Sequence, residues 1–240
     1  MAELVRLNKY LAECGVCSRR DADKLIEEGR VTINGLTAKM GSKVSGKERI
    51  VVNGKVLHSP NAKKVLAYYK PIGVTCTEKD KFAEKKITDS LKYPVRVTYA
   101  GRLDKESEGL MIMTNDGDLI NALMRGANRH EKEYIVKVDK EVTEEFLKQM
   151  EKGIYLKELE KTTRPCETEK QGKYTFRIVL TQGLNRQIRR MCQTLGYEVR
   201  NLKRVRIMNV LLEDLKPGQY REVAGEELSQ LYRNVGMENF

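Results

Sequence analysis

Histidine is scarce in this chain: only His58 and His130 occur among 240 residues. They do not stand in any paired metal-ligand spacing, so no zinc-hydrolase motif is present. Long apolar runs are missing too, since no stretch approaches the roughly eighteen residues of a membrane-spanning helix. The opening MAELVRLNKYLAECG carries acidic residues and lacks an apolar h-region and a small-residue cleavage site, so a cytoplasmic location is expected. Neither G-x-x-x-x-G-K-[ST] nor G-x-G-x-x-G is found, which removes the common nucleotide-binding loops; no cofactor and no metal are expected. Disulfides are not expected either. Five cysteines, at 14, 17, 76, 166 and 192, are an odd number in a chain read as intracellular. Cys14 and Cys17 form a C-x-x-C without a second pair, so two small, partly buried thiols beside a turn are preferred to a zinc or redox centre.

What the chain has in surplus is positive charge. Against 34 acidic residues stand 45 Lys and Arg, giving +11 and a pI near 9.3. Such an excess points to polyanions, nucleic acid before membrane. Residues 1–66 hold 13 basic and 7 acidic side chains, leaving 32 and 27 for the other 174. Just over a quarter of the chain thus carries more than half of the net charge.

Local patterns divide the chain. Leu7, Tyr10, Leu11 and Cys14 recur at helical spacing within Arg6–Cys14. After a break at Gly15, Ser18 opens S-R-R-D, a capping-box pattern, and predicts a helix ending near Glu28 with Gly29 beyond it. Asn34-Gly35 and Asn53-Gly54 each divide short apolar runs and predict hairpins. The polar HSPNAKKV (58–65) reads as a linker. From Val65 onward longer strands alternate with helices, so the whole is α+β.

RLNKYLAECGVCSRRDADKLIEEGRVTING resembles an S4 RNA-binding domain, covering about residues 4–57. That resemblance implies two helices plus hairpins offering a basic face to structured RNA, here Arg6, Lys9, Ser18, Arg19, Arg20 and Lys24. Closely set cations neutralise successive phosphates without reading sequence. The expected domains are therefore S4 over 1–58, a linker over 59–65 and a second domain over 66–240.

Three segments of the second domain carry candidate chemistry. In GRLDKESEGLMIMTNDG (101–117), a short loop bounded by Gly101 and Gly109 lies between two expected strands and presents Asp104. In HEKEYIVKV (130–138), alternation puts Tyr134, Val136 and Val138 on one face. In TQGLNRQIRRMCQTLGY (181–197), Ile188, Met191, Cys192 and Leu195 make an apolar stripe. Arg186, Arg190 and Gln193 lie opposite that stripe, and Arg189 sits at its flank.

The pattern GRLD-x-x-S-x-G-L, followed by a hydrophobic run and T-N-D-G, resembles the pseudouridine synthases, specifically the ribosomal branch of RsuA, RluB, RluE and RluF. Over about residues 65–223 the resemblance implies a mixed, mainly antiparallel sheet with flanking helices and a single isomerisation. The bond from ribose C1′ to uracil N1 breaks and the base is reattached through C5. It further implies Asp104 as the catalytic carboxylate, Tyr134 stacking on the target uracil, and Arg189 paired with Asp104 to hold it ionised. Arg102 would fill the space that the flipped base leaves, and Ile207 in RVRIMNV would line the uracil pocket. Lys70-Pro71 with Gly73 matches the opening strand in a structural role. Arg186 and Arg190 are expected to face RNA phosphates. HEKEYIV and RIMNV look most like the RluF type, which implies a 23S rRNA uridine near the peptidyl-transferase centre. 16S rRNA, a neighbouring 23S uridine or a tRNA anticodon loop remain alternatives, and a monomer is expected. Two further readings are a non-catalytic S4-type ribosome-assembly factor, and a hydrolase that would release free uracil.

Overall fold

The computed structural model describes residues 4–58, 60–77, 84–125 and 129–237. Ser59 of the expected linker and residues 238–240 of the tail lie outside the described residues. The chain divides into two compact units: Met1–Lys64 with Tyr93–Val97 and Asn115–Gly117, and Val65–Lys92 with Thr98–Thr114 and Asp118–Phe240.

In the first unit, β1 (Val5–Arg6) leads into α1 (Leu7–Glu13) and α2 (Arg19–Glu27). Ser18 caps α2 as its spacing predicts: its hydroxyl accepts from the Asp21 N–H at 3.2 Å and donates to Asp21 Oδ2 at 2.6 Å. Then come β2 (Val31–Ile33), β3 (Leu36–Thr37), β4 (Lys43–Val44), β5 (Ile50–Val52) and β6 (Lys55–Val56). Both Asn-Gly turns form hairpins, with positive φ at Asn34, Gly35, Asn53 and Gly54, as a type I′ turn requires. Strands β3-β2-β5-β6 make one sheet, while β1 pairs with β4. Leu7, Tyr10, Leu11, Ile26, Val31 and Ile50 are buried in a core of their own.

The second unit opens with β7 (Val65–Lys70), every residue of which is buried, then α3 (Ile87–Ser90), β8 (Thr98–Ala100), β9 (Glu108–Thr114) and α4 (Gly117–Met124). Next are β10 (Lys132–Val138), α5 (Glu144–Lys152), β11 (Tyr155–Leu156), a 3-10 turn at Lys157–Leu159, β12 (Lys161–Thr162), β13 (Glu167–Gly172) and β14 (Thr175–Leu180). The chain closes with α6 (Gln187–Thr194), β15 (Val199–Ile207), β16 (Val210–Leu211), β17 (Tyr220–Glu222) and α7 (Gly225–Asn234). The main sheet runs β13-β14-β10-β15-β9-β7-β17, with β16 added to β15 and β8 to β9. Its strands pair antiparallel except at β15–β9, where Lys203 and Arg204 run parallel to Glu108 and Gly109. This is the mixed, mainly antiparallel α+β sheet that the sequence resemblance implies.

One face of β7 and β9 (Val65, Ala67, Tyr69, Leu110, Ile112) is covered by apolar residues of α4 and α7, among them Leu119, Leu123, Leu231 and Tyr232. The opposite face, carrying Lys70, Gly109 and Tyr134, forms the floor on which the loop before β9 and the start of α6 are placed. No helix among the described residues is long and apolar enough to cross a membrane.

Candidate active site

The loop from Gly101 to Ser107 is fastened from below. Lys70, with no exposed surface, donates from Nζ to the carbonyls of Ser107 at 2.6 Å and Pro71 at 2.9 Å. Burial pushes the Lys70 amine below its ordinary pKa. The Gly73 N–H donates to the Lys105 carbonyl at 2.8 Å, and the Ser107 N–H donates back to the Asp104 carbonyl at 3.1 Å. Lys70, Pro71 and Gly73 thus act together to set the height of Asp104 above the sheet. Gly109 does the rest. A Cβ there would lie 2.2 Å from the Arg204 carbonyl oxygen and 2.6 Å from its nitrogen, at φ +110°. Only glycine lets the loop's end meet β15 this closely.

From across the cavity, the segment before α6 brings the cations. The Leu184 N–H donates to the side-chain oxygen of buried Gln187 at 3.0 Å, closing the turn that starts the helix. Arg186 stands at the helix N-cap with φ +50°, and this left-handed conformation turns its side chain towards the loop. Its Nη1 lies 2.8 Å from Glu106 Oε2 and 3.4 Å from Asp104 Oδ2. Arg186 in turn holds the Glu106 carboxyl below its usual range.

Arg189 serves the loop backbone as well as the Asp104 carboxylate. Its Nη2 donates to Ser107 Oγ at 3.0 Å and to the Glu106 carbonyl at 3.2 Å, while Nη1 reaches the Val199 carbonyl at 3.4 Å. Its Nε is 3.9 Å from Asp104 Oδ2, an ion-pair distance but not a hydrogen bond. Arg189 therefore clamps the backbone that carries Asp104, and the cation nearer to the carboxylate is Arg186. Burial, then the neighbouring Arg186 charge, lowers the Arg189 pKa.

Above these residues opens a cavity of about 510 Å³. Asp104 and Tyr134 both line it, as do Arg102 and Arg186. Asp104 keeps 30% of its side chain exposed, while Tyr134 is 9% exposed, paired in the sheet with Ile178 and Arg204. Ile207 is elsewhere: it is buried with Val210, Leu212 and Tyr232 in the core, and is not among the lining residues. Between Tyr134 and this end of β15 the register shifts by one residue, Tyr134 facing Arg204 but Glu133 facing Arg206. Leu180 and Leu202 supply the aliphatic wall instead. Arg190 is also outside the cavity, bonded to Asn185 and ion-paired with Glu158.

Sequence reasoning missed Cys76, Met124 and Gln182 as lining residues. Met124 ends α4 and stays 55% exposed, which its place beside Leu123 in the apolar pattern does not signal. Gln182 carries no pattern signal, although its buried Nε2 has no hydrogen-bond partner among the described residues.

In chemical terms the cavity offers two carboxylates, Asp104 and Glu106, with guanidinium groups close to both, an aromatic ring and aliphatic walls. A planar base can stack on the ring while the carboxylate meets a sugar. In the first unit, Arg6, Arg19, Arg20 and Lys24 are exposed, whereas Lys9 is half-buried and 3.8 Å from Glu13. Among the described residues no group of three or more His, Cys, Asp and Glu is arranged to hold a metal ion.

Comparison with known proteins gives the same reading of the whole chain. The family model described as RNA pseudouridylate synthase matches residues 64–194, and the S4 domain model matches residues 5–50. The dual-specificity RNA pseudouridine synthase RluF of Escherichia coli K12 is 45% identical over 233 residues, covering 96% of this chain and 79% of that protein. Ribosomal large subunit pseudouridine synthase B of Bacillus subtilis is 36% identical over 94% of this chain and 95% of its own length. A crystal structure of a pseudouridylate synthase superposes with a TM-score of 0.69 at 29% identity, covering 95% of this chain and 99% of that one. On the family match, the extent of these identities and the shared fold, this chain belongs to the RNA pseudouridylate synthase family and carries an S4 domain.

Proposed function

We propose that this protein converts a uridine of ribosomal RNA to pseudouridine, and that the target lies in 23S rRNA near the peptidyl-transferase centre. The observation that carries the reading is the placement of Asp104 and Tyr134 on one cavity, with Arg186 and Arg189 within 4 Å of the carboxylate. The ribosomal choice draws on the names of the relatives from Bacillus subtilis and Escherichia coli. The dual specificity in the latter name makes a second RNA, such as tRNA, worth including in the test.

A paired uridine hides its C1′ and C5, so the nucleotide is extruded first, at a cost of a few kcal/mol. Tyr134 receives the flipped base by stacking, and Arg102, exposed at the cavity mouth, fills the space vacated in the RNA. Asp104 acts at the sugar, where it helps break the bond between C1′ and N1. The uracil turns and rejoins the ribose through C5; the C5 proton leaves and N1 ends protonated, so no atoms are gained or lost overall. Arg189 is a positioning residue: it holds the loop that holds Asp104. Residues 1–58, with Arg6, Lys9, Ser18, Arg19, Arg20 and Lys24, bind the RNA backbone, 59–65 links them to the catalytic domain over 66–240, and the chain acts as a monomer.

The experiment is to incubate wild-type and Asp104→Ala protein with protein-free 23S and 16S transcripts and a tRNA pool, mapping pseudouridine by carbodiimide labelling and primer extension. One new stop in 23S rRNA, present with wild type and absent with the variant, is the expected result. Release of free uracil would replace the isomerase by a hydrolase. Binding without any modified uridine would favour the assembly-factor reading.

A further inference from the structure

Glu106 is an acidic side chain set where a basic enzyme receives a polyanion. It belongs to the same loop as Asp104 and, like Arg186, lines the cavity. With 60% of its side chain exposed, it does not stabilise a core, yet its Oε2 takes the shortest contact that Arg186 makes, at 2.8 Å. Asp104, the other carboxylate of the loop, is left with the longer 3.4 Å approach. Arg186 is 40% exposed and is presented from a left-handed N-cap, a conformation that costs energy in a non-glycine residue. Both contacts fall on one nitrogen, Nη1, and a guanidinium donates to carboxylate or phosphate oxygens alike.

We propose that Glu106 occupies, in the RNA-free enzyme, the site at Arg186 that a backbone phosphate of the substrate strand takes on binding. This inference rests on the reading of the cavity as the uridine site. Arg186 then changes partner rather than being desolvated anew: its bond to Glu106 Oε2 opens and a phosphate oxygen closes on the same nitrogen. Two consequences follow. While no RNA is present, Glu106 shares the Nη1 of Arg186 with Asp104 and takes the closer contact, which leaves Asp104 at 3.4 Å. When RNA arrives, the released Glu106 repels any phosphate that is not held by Arg186, which ties correct seating of the strand to exposure of Asp104.

The test is a double-mutant cycle on the full-length protein, using Glu106→Gln, Arg186→Gln and the pair together. Equilibrium binding of a transcript of the peptidyl-transferase region of 23S rRNA is measured from low to moderate salt. Glu106→Gln should bind about three-fold more tightly, the scale of a half-exposed ion pair that no longer has to be broken. Arg186→Gln should bind more weakly and reduce the salt slope by about one phosphate contact. In the Arg186→Gln background the Glu106 substitution should change affinity less than about 1.5-fold, since its effect works through Arg186. The proposal is overturned if Glu106→Gln does not tighten binding, or if it tightens binding equally in both backgrounds, because a general loss of negative charge then suffices. Pseudouridine formation by the wild type on the same transcript is read in parallel. No product with the cycle intact would refute the proposed target but leave the exchange standing; product with no coupling in the cycle would do the reverse.

Discussion

Replacing Arg189 separates holding Asp104 in place from binding RNA. The guanidinium makes three hydrogen bonds, to Ser107 Oγ, the Glu106 carbonyl and the Val199 carbonyl, and with 15% of its side chain exposed it reaches RNA poorly. Arg189→Gln leaves the two loop acceptors without their donor. A hydrogen bond from a charged donor contributes about 1.5–3 kcal/mol, and the two do not add fully, so a loss of about 3 kcal/mol in holding the loop is reasonable. If that restraint is needed at the transition state, the chemical step slows about 10²-fold. Arg189→Lys should recover only part of it, because an ammonium lacks the planar fork that spans Ser107 and Glu106. Ser107→Ala, which removes one acceptor, should cost about ten-fold. Single-turnover formation of pseudouridine with enzyme in excess gives the rate, and filter binding of the same RNA gives Kd. Loss of affinity equal to the loss of rate would refute the positioning role, as would full activity in Arg189→Lys.

Three other perturbations address separate parts of the structure. Gly109→Ala forces a Cβ to within 2.2 Å of the Arg204 carbonyl, where backbone meets backbone, so it should destabilise the catalytic unit by about 3 kcal/mol or more, read from a urea midpoint. An unchanged midpoint would mean that β9 and β15 can part there without cost. Tyr134→Leu removes the stacking ring and should weaken use of the target uridine by about ten- to hundred-fold, with Tyr134→Phe retaining most of the binding; equal effects of the two would deny the stacking role. Burial, reinforced by Arg204, lowers the Lys132 amine to about 8. Between that value and its unfolded pKa near 10.4 the unfolded chain binds more protons, so this residue makes stability rise with pH over that window. Stability measured at pH 7 and pH 9.5 should therefore rise less with pH in Lys132→Met than in wild type, and an identical pH response would place the amine in solvent.

Local features were readable from sequence wherever a single residue decides a local geometry. Asn-Gly fixes the hairpin turns at 34–35 and 53–54, and Ser18 with Asp21 fixes the start of α2, because each acts through its own backbone and neighbours. Asp104 and Tyr134 were legible through ordered motifs and do meet on one cavity. The partnership of Arg186 with the loop is not legible in the sequence. Helical periodicity places it on the helix face, whereas it stands before the helix in a left-handed conformation. Ile207, placed at the uracil pocket by the resemblance of RVRIMNV, packs with Val210, Leu212 and Tyr232, neighbours brought by pairing across the sheet that the motif alone does not reveal. Strand order across the large sheet was equally hidden, since its neighbours come from distant parts of the chain.

The parallel seam between β9 and β15 has a consequence for when activity can arise. Asp104 belongs to the stretch before Gly109, whereas Arg186, Arg189 and the β15 residues at the seam follow some eighty to one hundred positions later. A chain emerging from the ribosome carries its S4 helices and its Asp104 loop long before the clamp exists. Contacts of such sequence separation form late and slowly. Basic helices would therefore be free to engage RNA during synthesis, while turnover must wait until Ile207 has left the exit tunnel and the seam has closed. Modification is thereby reserved for a finished molecule, and a truncated product would compete for RNA without altering it.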